Sequence, residues 1–115
     1  MFKSFLYWLE SIEEDTPLPY EINHIYFCLH KSNDYIFLSF GGNQHEDERA
    51  FNFEYYPLEA QFFDVYKYDK NFNLLKLRTL VEKILENSFF HNLFFNKMIY
   101  ISFFGENNRF KFINN

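Results

Sequence analysis

The chain has little cysteine, glycine and proline: one Cys, three Gly and three Pro in 115 residues. Cys28 alone cannot close an intrachain disulfide, which favours a reducing compartment. So few glycines and prolines exclude collagen-like and low-complexity architectures. No apolar run approaches the length of a membrane span, and the apolar start of the chain runs into Glu10, Glu13 and Glu14 without a small-residue cleavage site. We therefore expect a cytoplasmic protein without a membrane segment.

Positive charge is also scarce. Lys and Arg number 11 against 16 Asp and Glu, which gives a net charge of −5. Binding to nucleic acid through phosphates requires clustered cations, and the one basic cluster (Lys67, Lys70, Lys76, Arg78) is interrupted by Asp69. We therefore expect a protein partner rather than nucleic acid, and an acidic surface would steer this chain toward a basic one.

Aromatic residues are abundant, with 18 Phe and 9 Tyr. The length suits one domain, and two domains would each be too small to stabilise themselves. We expect residues 1–115 to form a single domain. The aromatic content exceeds what a small core needs, so we expect the excess to serve association with a partner or with a second copy of the chain.

The first half of the chain reads as a helix followed by a hairpin. Residues 2–14 carry apolar side chains at helical spacing. Residues 20–31 and 34–42 read as two strands joined at Asn33-Asp34, and a two-residue loop there places Leu29 opposite Leu38 and Phe27 opposite Phe40. Alternation then predicts one purely apolar face, which consists of Ile25, Phe27, Leu29, Ile36, Leu38 and Phe40. The other face is half polar and consists of His24, Tyr26, Cys28, His30, Tyr35, Phe37 and Ser39.

The second half adds further strands and helices. Residues 51–55 predict a third strand, and 60–68 favour a fourth over a helix. A helical stripe covers 73–87 with Asn73 as N-cap, and 88–96 reads as a short helical continuation. A second hairpin joins 98–104 to 109–113; a turn at Asn107-Asn108 places Glu106 opposite Arg109 and Phe103 opposite Phe112. The order predicts an α+β two-layer sandwich, with a mainly antiparallel sheet of about five to six strands and two helices packed on one face.

The pair Gly41-Gly42 lacks the Lys-Ser/Thr of a phosphate-binding loop. We expect these glycines to form a bulge or a turn that needs positive φ.

Two groups of residues are weak candidates for chemistry. His24, Cys28 and His30 share one strand face and could ligate zinc with a further ligand from His45 or Asp47, but the spacing matches no specific metal motif. The loop 44–49 holds a base, acids and a cation, yet consecutive residues rarely converge on one substrate. We predict no metal, no cofactor and no catalytic residue.

The leading hypothesis is a small acidic protein-binding domain, whose composition is shared by inhibitors and immunity-type proteins that act on basic partners. The predicted binding residues are Tyr26, Tyr35 and Phe37, with an acidic rim of Glu46, Asp47 and Glu48. The alternative is a metal-dependent or small-ligand-binding enzyme that uses His24, His30, His45 and nearby carboxylates.

Overall fold

The computed structural model describes residues 1–47, 52–106 and 109–115. The elements in chain order are α1 (Phe2–Asp15), β1 (His24–Lys31), β2 (Ile36–Asn43), β3 (Phe62–Asp64), α2 (Leu74–Ile84), α3 (Ser88–Leu93), β4 (Lys97–Phe103) and β5 (Arg109–Asn114). The strands form one sheet in the order β3-β2-β1-β4-β5. β1 and β4 are parallel, and the other three pairings are antiparallel. The predicted α+β fold with a mainly antiparallel sheet is confirmed.

The register of the first hairpin is also confirmed. Leu29 pairs with Leu38, and Phe27 pairs with Phe40. The Ser32 amide donates to the Tyr35 carbonyl at 3.0 Å, which closes a two-residue loop at positions 33 and 34. Because the turn chemistry fixes the loop length, it also fixes which side chains share a face.

One face of the sheet, the core face, packs on the helices. Its β1 and β2 side chains are the six predicted from alternation, and all of them are buried. They belong to one apolar cluster with Phe5 of α1, Val81 of α2 and Phe90 of α3. Phe27, Leu38, Val81 and Ile101 are each 0% exposed. The helices therefore cover the same side of the sheet.

The helices begin where the sequence predicts. The Asn73 side chain accepts a hydrogen bond from the Lys76 amide at 2.9 Å and so caps α2. Asn87 caps α3 in the same manner by accepting from the Phe89 amide at 3.0 Å. The helical continuation predicted after residue 88 is thus confirmed for Ser88–Leu93.

The third predicted strand is wrong over its described part. Tyr55 makes an isolated antiparallel bridge with Gly42 instead of a ladder. The backbone of Asn52 and Glu54 bonds to the side chain of Asn43, so it is not available to a neighbouring strand. Phe51 lies outside the described residues.

The fourth predicted strand is shorter than expected, since β3 spans Phe62–Asp64. After it, the amides of Val65 and Tyr66 both bond to the Ile36 carbonyl. The Asp64 side chain also accepts from the Tyr66 amide at 3.0 Å, which bends the backbone out of the sheet.

The second hairpin is present, but its predicted register is wrong. Phe112 pairs with Ile99 instead of Phe103. The Asn114 side chain donates to the His91 carbonyl at 3.1 Å, and this contact holds the end of β5 beside α3. The connection after Phe103 is consequently longer than two residues. Positions 107 and 108, where the turn was predicted, lie outside the described residues.

Within the described ranges, no helix has the length and apolar character needed to cross a membrane. The cytoplasmic location stays a prediction.

Candidate functional site

The sheet face that points away from the helices, the open face, divides into two halves. In the first, the covered half, Tyr26 and Tyr100 from adjacent parallel strands stack with ring centroids 4.4 Å apart and planes 8° apart. Both rings are completely buried, together with Cys28. Phe53, from the segment after residue 51, lies over Tyr26 at 5.0 Å. A peptide segment therefore seals this half from solvent.

Polar contacts hold that covering segment in place. The buried side chain of Asn43 donates through Nδ2 to the Asn52 carbonyl at 3.2 Å, and its Oδ1 accepts from the backbone amide of Glu54 at 2.6 Å. Nearer to β2 in the chain, the backbone amide of Asp47 donates to the Tyr26 hydroxyl at 2.7 Å. The side chain of one strand residue thus satisfies backbone groups that a longer strand would have paired.

Gly41 makes room for the cover. A Cβ at this position would lie 2.4 Å from Cδ2 of Phe53, which is closer than any side chain tolerates. Gly42 serves the core face in the same way, because a Cβ there would lie 2.4 Å from Cγ2 of Ile22. Both glycines lie within β2 and neither has a positive φ. The predicted bulge or turn with positive φ is therefore wrong, since both glycines pair with β1 in an uninterrupted register, and close packing explains them.

A hydrogen-bonded chain borders the covered half. Nδ1 of His24 lies 2.7 Å from the Tyr100 hydroxyl, which donates to Glu46 Oε1 at 3.0 Å. Lys111 Nζ lies 3.6 Å from the same carboxylate oxygen. Burial lowers the pKa of His24, while the Glu46 charge opposes that shift. These contacts connect Glu46 to residues of β1, β4 and β5.

The other half of the open face has no such cover among the described residues. His30 stacks between Phe37 at 4.4 Å and Phe104 at 4.6 Å. Phe62 of β3 packs edge-on against Phe37 at 4.8 Å, and Tyr35 lies 5.2 Å from Phe37 on the outer side. Phe62 and Phe104 keep 56% and 44% of their surface exposed. This is an aromatic surface that the fold itself does not bury.

The rings enclose a concave site, the aromatic cleft, of about 260 Å³. Its floor is formed by β1 and β2, and the segment 53–62 forms one wall. The described residues that line it are His30, Phe37, Ser39, Phe40, Phe53, Tyr56, Pro57, Gln61, Phe62 and Phe104. None of these side chains carries a fixed charge, so the cleft suits an apolar or aromatic occupant.

One polar pair lies on the floor of the cleft. Nε2 of His30 is 2.8 Å from the Ser39 hydroxyl. Burial lowers the pKa of His30 to about 4, so the ring is neutral at pH 7. The distance equals that of a serine–histidine dyad, but a catalytic histidine needs an orienting group and a pKa near the working pH. Among the described residues no carboxylate bonds to His30, and the His30–Ser39 pair is a hydrogen-bonded polar pair in an otherwise apolar lining.

The predicted binding residues separate between the two halves. Tyr35 and Phe37 belong to the uncovered aromatic surface, as expected. Tyr26 was expected on the same surface, and this is wrong because Tyr26 is 0% exposed beneath Phe53. The predicted acidic rim of Glu46 and Asp47 instead borders the covered half, through the contacts of Glu46 with Tyr100 and of the Asp47 amide with Tyr26. Glu48 lies outside the described residues.

His24 and His30, two of the candidate metal ligands, lie far apart on β1. Six positions separate His24 from His30 on β1, which puts them roughly 20 Å apart at the rise of a strand, and Cys28 is buried between them. Across the described parts of the chain, no three His, Cys, Asp or Glu side chains are grouped so as to hold a metal ion.

Most residues that line the cleft were missed from the sequence, and Phe62, Tyr56 and Phe104 are three of them. Phe62 lies in a segment assigned to a strand, Tyr56 precedes the predicted break at Pro57, and Phe104 closes a predicted strand. Alternation along β2 and β3 would have placed Phe62 beside Ser39, had their antiparallel register been known. No local signal indicates that the turn after β4 returns Phe104 to the His30 ring.

No family model, curated protein or solved structure matches this chain. Its own geometry therefore carries the functional argument.

Proposed function

We propose that this protein is a binding domain whose aromatic cleft engages another protein. The observation that carries this proposal is the uncovered set of stacked rings around His30, next to a half of the same sheet face that is sealed. Exposed contiguous apolar patches on small domains mark interaction sites more often than chance. Aromatic side chains also dominate the binding energy of protein interfaces, because each one buries a large rigid surface.

The partner that fits best is a basic protein. The chain carries a net charge of −5, which raises the rate of encounter with a positively charged surface. Small acidic inhibitors and immunity-type proteins work in this manner, and we place the present chain in that functional class as an expectation from charge and surface. Apolar side chains of the partner would fill the cleft, and its cations would lie around the rim.

A small planar ligand is the second candidate occupant. The volume of about 260 Å³ approaches the lower end of small-molecule pockets, which begin near ~300 Å³. The neutral His30–Ser39 pair would supply one hydrogen bond, and the rings of Phe37 and Phe104 would supply stacking surface. Of the two enzyme types named as the alternative, metal-dependent and small-ligand-binding, the cleft geometry favours the second.

The test compares two double variants, each of which replaces two exposed phenylalanines by serine on a different surface of the protein. Phe62→Ser with Phe104→Ser removes the walls of the cleft. Phe89→Ser with Phe95→Ser removes rings that are equally exposed, 51% and 50%, in the region of α3. Each protein is immobilised, and the molecules captured from cells that produce it naturally are quantified by mass spectrometry.

We expect one protein partner to be captured by the wild type and by the α3 variant, and to fall at least tenfold with the cleft variant. Direct titration of that purified partner must show the same loss. Equal binding by both variants would move the working surface away from the cleft. Co-purification of a small molecule with the wild type alone, and of no protein, would favour the second candidate.

A further inference from the structure

A second concave site adjoins the aromatic cleft. This acidic pocket has a volume of about 350 Å³ and is lined by Asp34, Tyr35, Ile36, Phe37, Phe62, Asp64 and Tyr66. Phe37 and Phe62 line both sites, so their edge-on pair is the wall between them. The two sites therefore form one continuous surface that changes from apolar to acidic.

The two carboxylates of the acidic pocket have no ion-pair partner among the described residues. Asp34 and Asp64 are exposed, and neither lies in an ion pair with a described residue. Asp64 uses one oxygen, Oδ1, to accept from the Tyr66 amide. No lysine or arginine is among the described lining residues.

The rings of the pocket add an attraction for cations. The face of an aromatic ring is negative and attracts ammonium and guanidinium groups within about 6 Å. The chain itself shows this at Tyr66, where Lys70 Nζ lies 5.5 Å from the ring centroid. A guanidinium satisfies both features of the pocket, because its planar face stacks on rings while its N–H groups donate to carboxylates.

We infer that an arginine side chain of the partner enters the acidic pocket while an apolar side chain of the same segment fills the aromatic cleft. This inference rests on the proposed protein-binding function and names the chemistry that the site recognises. In an extended peptide, residues i and i+2 point to the same side roughly 7 Å apart, a spacing that reaches across a wall one ring thick. The recognised element is therefore an apolar residue and an arginine two positions apart.

The experiment uses three synthetic tripeptides that differ in one feature each. Acetyl-Phe-Ala-Arg-amide carries both elements. Its citrulline analogue keeps the shape of the arginine and removes the charge, and acetyl-Ala-Ala-Arg-amide removes the apolar element. Dissociation constants are measured by NMR titration, with the aromatic resonances of the cleft as the readout, against the wild type and two variants. One variant is Asp34→Asn with Asp64→Asn; its control, Glu10→Gln with Glu14→Gln, changes the net charge equally on α1.

We expect the arginine peptide to bind about tenfold more tightly than the citrulline peptide, in line with charge-assisted hydrogen bonding at a partly exposed site. The difference should vanish in the Asp34/Asp64 variant and persist in the α1 control. Equal loss in both variants would show attraction by net charge alone and overturn the inference.

The remaining outcomes separate the inference from the proposed function. If arginine and citrulline peptides bind equally, but more tightly than the peptide without phenylalanine, the acidic pocket is not an arginine site and the cleft still binds. If no peptide shifts any cleft resonance at millimolar concentrations, the inference is overturned together with the proposed use of the cleft.

Discussion

The two halves of the open face share one sheet and a similar aromatic content, yet their environments differ. In the covered half, Tyr26 and Tyr100 are stacked and completely buried. In the uncovered half, His30, Phe37 and Phe104 are stacked at similar distances, and Phe104 remains 44% exposed. Stacking alone therefore does not distinguish a core from an interface. What distinguishes them is whether another segment of the chain supplies the opposite layer.

Two residues of β2 position the segment that covers Tyr26. Asn43 and Gly41 lie near the end of β2 and fix the segment that carries Phe53. That ring lies over Tyr26 and also lines the cleft, so it is the boundary between the halves. The same residue completes a small core on one side and forms the wall of a binding site on the other.

The largest expected effect separates the halves by stability. Tyr26→Ala should lower the free energy of unfolding by about 3–5 kcal/mol, because it leaves a cavity beneath Phe53. Phe62→Ala, in the uncovered half, should cost less than about 1 kcal/mol, because its ring already faces solvent. Urea denaturation followed by circular dichroism measures both. Equal losses would mean that the two halves do not differ in the way described.

Gly41→Ala tests how the cover is seated. The added methyl group meets the Phe53 ring, and we expect a loss of about 1–3 kcal/mol. In a Phe53→Ala background the same change should cost little, since the obstructing ring is gone. A double-mutant cycle measures this coupling. Additive losses would mean that Gly41 is required for another reason.

His30 provides a pH test of the uncovered half. Its folded pKa of about 4 lies below the ordinary 6.5, so the folded state binds fewer protons than the unfolded state between those values. The contribution of His30 to the free energy of unfolding is therefore fully present above pH 6.5, and it is lost as the pH falls toward 4. His30→Gln should flatten this dependence, because the replaced side chain does not titrate in this range. An NMR titration midpoint for His30 above 6 would contradict the burial described.

The smallest expected effect on stability is that of Phe104→Ser. The ring is partly exposed, and its loss should change the free energy of unfolding by less than about 1 kcal/mol. Removing it uncovers one face of His30, so the pKa of that imidazole should rise toward its ordinary value. Histidine NMR titration and urea denaturation on the same sample measure both. A large loss of stability with an unchanged pKa would place Phe104 in the core.

Local patterns predicted much of the sheet and the helices. The turn at Asn33-Asp34 and the alternation around Phe27 and Leu38 predicted the register of the first hairpin, because both signals act between neighbours in the chain. The cap at Asn73 predicted the start of α2 for the same reason. In the second hairpin, the Asn114 side chain bonds to the distant His91 carbonyl, and no turn motif reports a contact of that kind.

The sequence by itself determined the class of fold, the buried core face and the presence of aromatic side chains on the opposite face. The tertiary structure alone decided which of those aromatics are accessible. Alternation assigns Tyr26 and Phe37 to the same face, but it contains no information about the segment that crosses over one of them. Which aromatic side chain is covered depends on the side-chain amide of Asn43 and on the space above Gly41. Both contact residues about ten positions further along the chain. Burial is a property of the assembled layers, and the candidate site is the part of the face that the chain leaves without a second layer.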